Sequence, residues 1–398
     1  MAPDNPMTER IYFDWNATAP LRAAARAAML AALDRVGNAS SVHAEGRAAR
    51  HLVETAREQV AALVGAEARN VIFTSGGTEA NALALSPSIE RPGERKPLRR
   101  LLVSAIEHPS VRMGGRFPRE SVEEMAVTPD GIVDLPALVR RLAELGEGSG
   151  LLVSIMQANN ETGVVQPVAA AAAIVRASGG LMHVDAVQTA GRISCDINAL
   201  GADLMTISGH KLGGPQGIGA LVRRSEGLHI ADPLIKGGGQ ERGSRAGTEN
   251  VAAIAGFGAA AEEARSTLAR EGERLRVLRE RLEAGLREIA AETVIFGAGA
   301  ERLPNTTLFA VPGHKAETAL IALDLAGVAV SSGSACSSGK VAASHVLSAM
   351  GVAPELVGGA IRVSLGWETR ESEVKDFLIA WSKTVSRLSR GEKTGLAA

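Results

Sequence analysis

Two stretches decide the fold of this chain: His183-Val184-Asp185-Ala186-Val187-Gln188 and Ser208-Gly209-His210-Lys211. Each follows or completes an apolar run typical of a buried strand, at 181–184 and 204–207. Similar runs recur along the chain and are separated by segments with helical spacing. Continuous apolar strands that alternate with helices favour a mostly parallel sheet covered on both faces. The sequence therefore predicts an α/β fold.

Asp185 and Lys211 each follow one of these predicted strands. Ligands in open α/β sheets bind beyond the carboxyl ends of the strands. Pyridoxal phosphate needs such a pair: a lysine forms a Schiff base with its aldehyde, and an aspartate keeps its ring nitrogen protonated. Burial would favour the uncharged amine that imine formation requires. A solvated surface position is the ordinary alternative for either residue, and His183 is interpreted as a packed histidine.

Length and composition limit the classes of protein to consider. A chain of 398 residues is long enough for two domains, and 45% hydrophobic with 22% charged residues is typical of a globular protein. A net charge of −1 gives no reason to expect nucleic acid or an anionic membrane as a partner. No apolar run approaches the roughly 20 residues of a spanning helix. Two cysteines cannot form a disulfide framework, and residues 1–9 resemble no targeting signal, so we expect a cytoplasmic protein.

The pattern changes after a long helical segment at 251–289. Shorter predicted strands and helices follow, at 305–311, 315–325, 328–331, 361–364 and 371–390, and they indicate a smaller α+β domain. We expect a large domain over 16–262 and a small domain formed by 1–15 with 263–398. The Pro- and Gly-rich stretch 86–100 is predicted to be a surface loop.

A phosphate-binding turn is one interpretation of Thr74-Ser75-Gly76-Gly77-Thr78. A strand ends, two glycines turn the chain and a helix begins, which leaves backbone N–H groups at a positive helix end. An ordinary turn with Thr78 as the N-cap is the alternative. The stretch is neither a Walker loop nor a GxGxxG fingerprint.

Three further features have a functional and an ordinary interpretation. The amides of Asn159-Asn160-Glu161 follow a predicted strand and would contact a ring oxygen or a substrate carboxylate, or simply build a turn. The Gly-rich segment 237–248 is an anion-binding or intersubunit loop, or a flexible surface loop. Arg362 lies in a predicted strand and forms either a structural ion pair or a clamp for a carboxylate.

Cys336 lies in a loop of Ser, Gly and Ala residues, whereas Cys195 lies in an ordinary sequence context. A free cysteine is usually a small buried hydrophobic residue, and Cys195 fits that description. A loop such as that of Cys336 can be exposed, as a nucleophilic thiol requires. A thiol close to the predicted cofactor suggests sulfur chemistry. The histidines and cysteines show no spacing typical of metal ligands, so no metal site is predicted.

Taken together, these motifs resemble the NifS/IscS-type (group I) cysteine desulfurases of the class V aminotransferase superfamily, over nearly the whole chain from Ile11 to Arg390. Each motif alone is a weak indication, and the resemblance is specific because all of them occur in order. The matching stretches are Phe13-Asp14-Trp15-Asn16-Ala17-Thr18, 74–79, Glu107-His108, 159–161, 183–186, 208–211, 245–248 and 332–336. The resemblance implies the PLP-dependent transferase fold type I, with a seven-stranded, mostly parallel sheet flanked by helices and a smaller C-terminal α+β domain.

The resemblance also implies a role for each matching residue. Lys211 would form the Schiff base, Cys336 would be the nucleophile, and His108 would stack on the ring and assist proton transfers. Asn160 and Arg362 would bind the substrate carboxylate. The remaining implied cofactor ligands are Gly77, Thr78, Asn160, Asp185 for the ring nitrogen, Gln188 for the ring hydroxyl, Ser208, His210 and, from a partner subunit, Thr248.

The activity implied is removal of sulfur from L-cysteine, giving L-alanine and a persulfide on Cys336. The resemblance further implies a homodimer and a sulfur acceptor or iron–sulfur scaffold protein as partner, with transfer RNA or cofactor thiolation as a further destination of the sulfur. Selenocysteine lyase, another class V aminotransferase-like enzyme that does not need Cys336, and a non-catalytic scaffold are the alternatives. Many relatives have Leu-Glu-Pro after the cysteine, whereas this chain has Lys340-Val341-Ala342-Ala343, so the docking of this loop and the choice of acceptor stay open.

Overall fold

Seven strands form a central sheet in the computed structural model, which describes residues 10–91, 97–146, 150–333 and 343–395. The strands of these residues are β1 Ile11–Tyr12, β2 Val71–Thr74, β3 Ile89–Glu90, β4 Arg100–Ser104, β5 Val122–Met125, β6 Leu151–Ser154, β7 Leu181–Asp185, β8 Leu204–Ser208, β9 Gly219–Arg223, β10 His229–Ile230, β11 Val294–Ile295, β12 Thr306–Ala310, β13 Val328–Ala329, β14 Ser331–Ser332 and β15 Ile361–Ser364.

The central sheet has the strand order β2-β9-β8-β7-β6-β4-β5. Neighbours from β8 to β5 are parallel, and β9 runs antiparallel to both β2 and β8. The predicted seven-stranded, mostly parallel sheet is confirmed. Residue-level prediction missed β5, because this edge strand pairs with β4 alone and carries the charged pair Glu123 and Glu124 in place of a continuous apolar run.

Helices cover the sheet and build the smaller C-terminal part. They are α1 Ala23–Leu33, α2 Ala44–Leu63, α3 Gly77–Ala84, α4 Pro109–Arg112, α5 Leu135–Leu145, α6 Val168–Ala177, α7 Val251–Ile289, α8 Ala316–Leu325, α9 His345–Ala349, α10 Pro354–Val357 and α11 Glu371–Gly395. The segment 251–289 forms one uninterrupted helix of 39 residues. In the part of the chain that the structure describes, no helix is both long and apolar enough to cross a bilayer.

Helix α7 contributes to two separate hydrophobic cores. Its first half places Phe257 in the core around the central sheet. Its second half places Leu282 in the core of a four-stranded sheet with the order β11-β12-β15-β14, which also contains Trp381 of α11. The same helix therefore belongs to both cores and runs continuously through the predicted boundary at 262/263. The division into 16–262 and the remainder stays a prediction.

Two local predictions are wrong. The stretch 86–100 was predicted to be a surface loop, but Ile89 is buried and β3 pairs with β10; residues 92–96 lie outside the described residues. The stretch 328–331 was predicted to be one strand, but it is divided between two sheets. There β13 pairs with β1, and β14 pairs with β15, because the chain changes partner at Val330.

A buried ion pair fixes the Gly-rich segment to the central sheet. Arg57 Nη1 lies 2.7 Å from Glu241 Oε2 and Nη2 lies 2.9 Å from Oε1, with 5% and 3% of the two side chains exposed. The backbone N–H of Phe73 donates to the same carboxylate at 2.9 Å. Glu241 and Arg242 adopt left-handed φ values of 46° and 55°, which non-glycine residues rarely do. The segment is therefore anchored at Glu241 and is not simply a flexible loop.

We expect Glu241→Ala to lower the free energy of unfolding by about 3 kcal/mol, because both Nη atoms of the buried Arg57 lose their carboxylate partner and only the half-exposed Glu54, at Nε, remains. The measurement is urea unfolding followed by far-UV circular dichroism. Glu273→Ala is the matched control, because Glu273 pairs with Arg276 at the surface. That variant should unfold at the wild-type midpoint. Equal midpoints for Glu241→Ala and Glu273→Ala would contradict a stabilising role of the Arg57–Glu241 pair.

Candidate active site

A cavity of about 290 Å³ opens at the carboxyl ends of the central strands. Parallel strands end at the same edge of a sheet, so the polar residues that follow β6, β7 and β8 meet there. The residues predicted for the site that line it are Gly77, Thr78, His108, Asn160, Asp185, Gln188, Ser208, His210, Lys211 and Arg362. The structure thus brings together ten residues from six separate stretches of the sequence.

Lys211 ends a 3₁₀ turn, Gly209–Lys211, that directly follows β8. Its Nζ donates to the backbone carbonyl oxygens of Asn16 at 2.6 Å and Ala17 at 2.8 Å. These two contacts hold the amine at the cavity wall. A primary amine in this position is suited to attack a carbonyl group bound in the cavity.

Asp185 is the last residue of β7 and is 5% exposed. Its Oδ1 accepts the backbone N–H of Val187 at 2.9 Å, and its Oδ2 accepts Nδ2 of Asn81 at 2.9 Å. Both oxygens are thus satisfied within hydrogen-bond distance, as a buried carboxylate requires. The arrangement orients the carboxylate at the cavity.

Asn81 also connects Asp185 to His108. The other N–H of its amide donates to Ser110 Oγ at 2.9 Å, and Ser110 Oγ lies 2.8 Å from His108 Nδ1. The backbone N–H of Ser110 donates to the same ring nitrogen at 3.2 Å. Because Nδ1 accepts, the proton of the neutral ring is assigned to Nε2. Burial lowers the pKa of His108; Asp185 opposes this shift and Lys211 adds to it.

The N-terminus of α3 and the end of β8 form one side of the cavity. A Cβ placed on Gly77 would lie 3.0 Å from Val187 and 3.4 Å from Ser208 Cβ, so the turn packs closely on the ends of β7 and β8. A Cβ on Gly219 would come within 2.6 Å of the Gly76 carbonyl carbon. Only glycine at 219 therefore lets β9 approach the start of α3, where the first N–H groups of the helix could bind an anion.

Partly buried cationic and imidazole side chains surround the same region. His210 Nδ1 lies 3.2 Å from Thr18 Oγ1, and burial, with Lys211 and Arg192, lowers the pKa of His210 to about 4. Arg192 donates to the Gln188 side chain and, at 3.2 Å, to the backbone oxygen of Lys211. Burial, with Arg362, lowers the pKa of Arg192 to about 9. These contacts fix Gln188, whose Nε2 donates to the backbone oxygen of Asn16 at 3.1 Å.

Arg362 reaches the cavity from β15 of the smaller sheet. Its Nη2 lies 2.7 Å from Asp14 Oδ1, and its Nη1 donates to the backbone oxygen of Asn160 at 2.9 Å. Only 3% of the side chain is exposed, and its Nε has no hydrogen-bond partner. A buried guanidinium with an unpaired donor is suited to hold a carboxylate. Arg362 therefore forms the predicted ion pair and also lines the cavity, and its role as a clamp for a carboxylate stays a prediction.

Thr248 and Cys195 do not line the cavity, and Cys336 lies outside the described residues. Thr248 is exposed and is not among the residues that line the cavity. Cys336 falls within 334–342, outside the described residues. Cys195 is buried, and burial raises the pKa of its thiol to about 12, as expected for a structural cysteine. His183 is likewise packed, between Ser154 and Thr206.

Asn81 and Ser110 are the most informative lining residues that sequence reasoning missed. Asn81 is 1% exposed and lies in a short helix with alanine and leucine neighbours. A single amide in an apolar helix was the available signal. Its partner Asp185 lies 104 positions away in the sequence, so the sequence gives no indication that the two side chains meet.

Comparison with known proteins identifies the family. Residues 11–377 match the family "Aminotransferase class-V". The chain belongs to this family. It is 41% identical over 385 residues to a cysteine desulfurase of Gluconacetobacter diazotrophicus, covering 95% of this chain and 94% of the relative. It is 38% identical over 390 residues to cysteine desulfurase IscS of Dictyoglomus turgidum, covering 96% of each chain.

A solved structure confirms the class V aminotransferase fold. The X-ray structure of a NifS-like protein from Rickettsia africae superposes with a TM-score of 0.83 at 36% identity, covering 95% of this chain and 99% of that chain. The predicted fold type I is therefore confirmed.

Class V aminotransferases and cysteine desulfurases depend on pyridoxal phosphate, and the residues of this cavity fit that cofactor. The donor set matches its three functional parts. Lys211 offers an amine for the aldehyde, Asp185 offers a carboxylate for the ring nitrogen, and the start of α3 offers N–H groups for the phosphate. Within the described ranges, no group of three or more His, Cys, Asp and Glu side chains is placed to hold a metal ion.

We expect Asn81→Ala to raise the Kd for pyridoxal phosphate by about tenfold, because Asp185 loses a hydrogen bond to its charged form. The measurement is titration of cofactor-free protein with pyridoxal phosphate, followed by visible absorption. Asn70→Ala is the control, since Asn70 is also buried but does not line the cavity. An unchanged Kd for Asn81→Ala, or the same change in both variants, would argue against this role of Asn81.

Proposed function

We propose that this protein is a PLP-dependent cysteine desulfurase that transfers the sulfur of L-cysteine to Cys336 and releases L-alanine. The observation that carries the proposal is the cavity itself. It places the Lys211 amine, the Asp185 carboxylate and a buried Arg362 with an unpaired Nε around one space. Family membership and the names of the relatives agree with this chemistry.

Arg362 and Asn160 would bind the α-carboxylate of the amino acid. The Arg362 Nε is the guanidinium nitrogen without a partner, because Nη2 binds Asp14 and Nη1 binds the Asn160 carbonyl. Since the guanidinium is almost fully buried, its attraction for a carboxylate is screened little by water. Binding at this point orients the Cα and Cβ of the substrate toward Lys211.

Lys211 and His108 would carry out the proton transfers of this reaction. Pyridoxal phosphate, when bound, supplies a ring that accepts the electrons left behind at Cα. The Lys211 amine lies at the cavity wall and would take the Cα proton at its Nζ. His108 carries its ring proton on Nε2 and is held through Nδ1 by Ser110, so it can hand a proton to a group in the cavity.

The sulfur transfer balances without an outside oxidant or reductant. The Cβ–S bond of cysteine breaks, a new S–S bond forms to Cys336 Sγ, and a proton replaces sulfur on Cβ. The substrate Cβ gains the two electrons that the substrate sulfur and Cys336 Sγ together give up. The products are L-alanine and a persulfide on Cys336.

The partners and the location belong to the same proposal. The exposed Thr248 lies on the Gly-rich segment that Glu241 anchors, as expected of a residue that completes the phosphate site of a second copy in a homodimer. A sulfur acceptor or iron–sulfur scaffold protein in the cytoplasm would take the persulfide sulfur, and transfer RNA or cofactor thiolation is a further use. A net charge of −1 gives no support for direct binding of nucleic acid.

Replacement of Cys336 by Ala should abolish both alanine and sulfide formation from L-cysteine, because the substrate sulfur then has no thiol to attack it. The assay measures both products from the holoenzyme in the presence of a reductant. Cys195→Ala is the control, since that thiol is buried away from the cavity and should be dispensable. Turnover by Cys336→Ala would instead support another class V aminotransferase-like activity. A strong preference for selenocysteine over cysteine would assign a lyase.

Lys211→Ala should remain folded and lose turnover, because no other described side chain is placed to take over its amine role in this cavity. Far-UV circular dichroism checks the fold, and alanine release from L-cysteine checks activity. Lys236→Ala, at an exposed lysine, should behave as the wild type. Unfolding of Lys211→Ala would show that this lysine is structural.

A further inference from the structure

One buried carboxylate, that of Glu161, lies close to the described residues on both sides of the segment 334–342. Ser344 Oγ donates to Glu161 Oε2. On the other side of the segment, a Cβ placed on Gly333 would lie 3.1 Å from the same oxygen. Glu161 therefore lies close to Gly333, the last described residue before the segment. It also accepts a hydrogen bond from Ser344, just after the segment.

Glu161 is itself held firmly beside the substrate side of the cavity. It is 3% exposed, and its backbone N–H donates to Asn159 Oδ1 at 2.9 Å. Its neighbour Asn160 accepts from Arg362 and lines the cavity. Burial raises the pKa of Glu161 to about 7, while the Ser344 hydroxyl and Arg362 act in the opposite direction.

A second contact links the same end of the segment to the ring side of the cavity. His345 Nε2 donates to the backbone oxygen of Glu107 at 3.0 Å. Glu107 directly precedes His108, which lines the cavity. Ser344 and His345 thus contact the residues that are adjacent in sequence to Asn160 and His108.

We propose that Glu161 is a positioning residue for sulfur transfer, because it accepts the Ser344 hydroxyl and so holds one end of the segment that carries Cys336 beside the substrate. The inference rests on the proposed function, since it concerns the step in which Cys336 Sγ meets the substrate sulfur. Holding two reacting groups in register raises their effective concentration, so loosening one end slows only the step that needs both. Steps between the substrate and Lys211 do not involve Cys336 and would be unaffected.

The test uses Glu161→Ala holoenzyme and measures two stages separately: reaction of the substrate at the cofactor, and transfer of its sulfur to Cys336. The first stage is the change in visible absorption on rapid mixing with L-cysteine, and the second is the appearance of persulfide on Cys336, followed by alkylation and mass spectrometry. We expect the first rate within about twofold of wild type and the second slowed by about tenfold or more. Glu161→Gln should restore most of the second rate, because its amide oxygen still accepts the Ser344 hydroxyl.

Glu283→Ala is the control for loss of a buried carboxylate. Glu283 also accepts from a hydroxyl, Thr307 Oγ1 at 2.8 Å, and pairs with Arg302, but it does not line the cavity. It should leave the ratio of the two rates unchanged even where it lowers the unfolding midpoint. Ser344→Thr, which keeps the hydroxyl, should behave as Glu161→Gln does.

Wild-type persulfide formation in Glu161→Ala, or an equal fall in both rates, would overturn the positioning role. A wild-type enzyme that changes colour with cysteine and never forms persulfide on Cys336 would instead overturn the proposed function, and the inference with it. The two failures are therefore distinguished by the wild-type measurement alone.

Discussion

The burial of Asp185 at the end of a parallel strand is the constraint on which the rest of the cavity depends. A carboxylate removed from water is costly unless donors surround it, and here Asn81 and the Val187 N–H supply them. Asn81 can do so only because α3 begins directly after β2 and packs over the ends of β7 and β8. The same amide then fixes Ser110, and through it the orientation of the His108 ring. One buried carboxylate at the end of β7 thus sets the positions of side chains in α3 and at the start of α4.

The smaller sheet takes part in the site because α7 contributes to both hydrophobic cores. Residues of its first half pack against the central sheet and residues of its second half against β12 and β15. Arg362 can therefore extend from β15 into a cavity built mainly by the other sheet, with Asp14 balancing its charge. Asp14 follows β1 and Asn160 follows β6, so the arginine contacts one segment near the start of the sequence and one near its middle. The position of Arg362 in the cavity therefore depends on how the smaller sheet packs against the rest of the protein.

Much of this was predictable from sequence, and the failures have physical causes. Strands buried on both faces, such as β6 and β8, show as continuous apolar runs, and Asp185 and Lys211 are recognisable because they follow such runs. Edge strand β5 has one neighbour and polar residues, so its pattern is weak. Asn81 and Glu161 were not assigned roles, because what each contacts depends on segments 104 and 183 positions away. Pairing of that kind is decided by tertiary packing and has no local signature.

The burial of Cys195 has a practical consequence for anyone who handles this protein. A thiol with a pKa of about 12 is almost entirely protonated at neutral pH, and the thiolate is the reactive form. Alkylating or maleimide reagents added to the native protein will therefore leave Cys195 unmodified. Since the chain has only two cysteines, any label taken up before denaturation reports on Cys336. The fold thus removes Cys195 from competition for a fluorophore or spin label directed at Cys336, with no need to replace it.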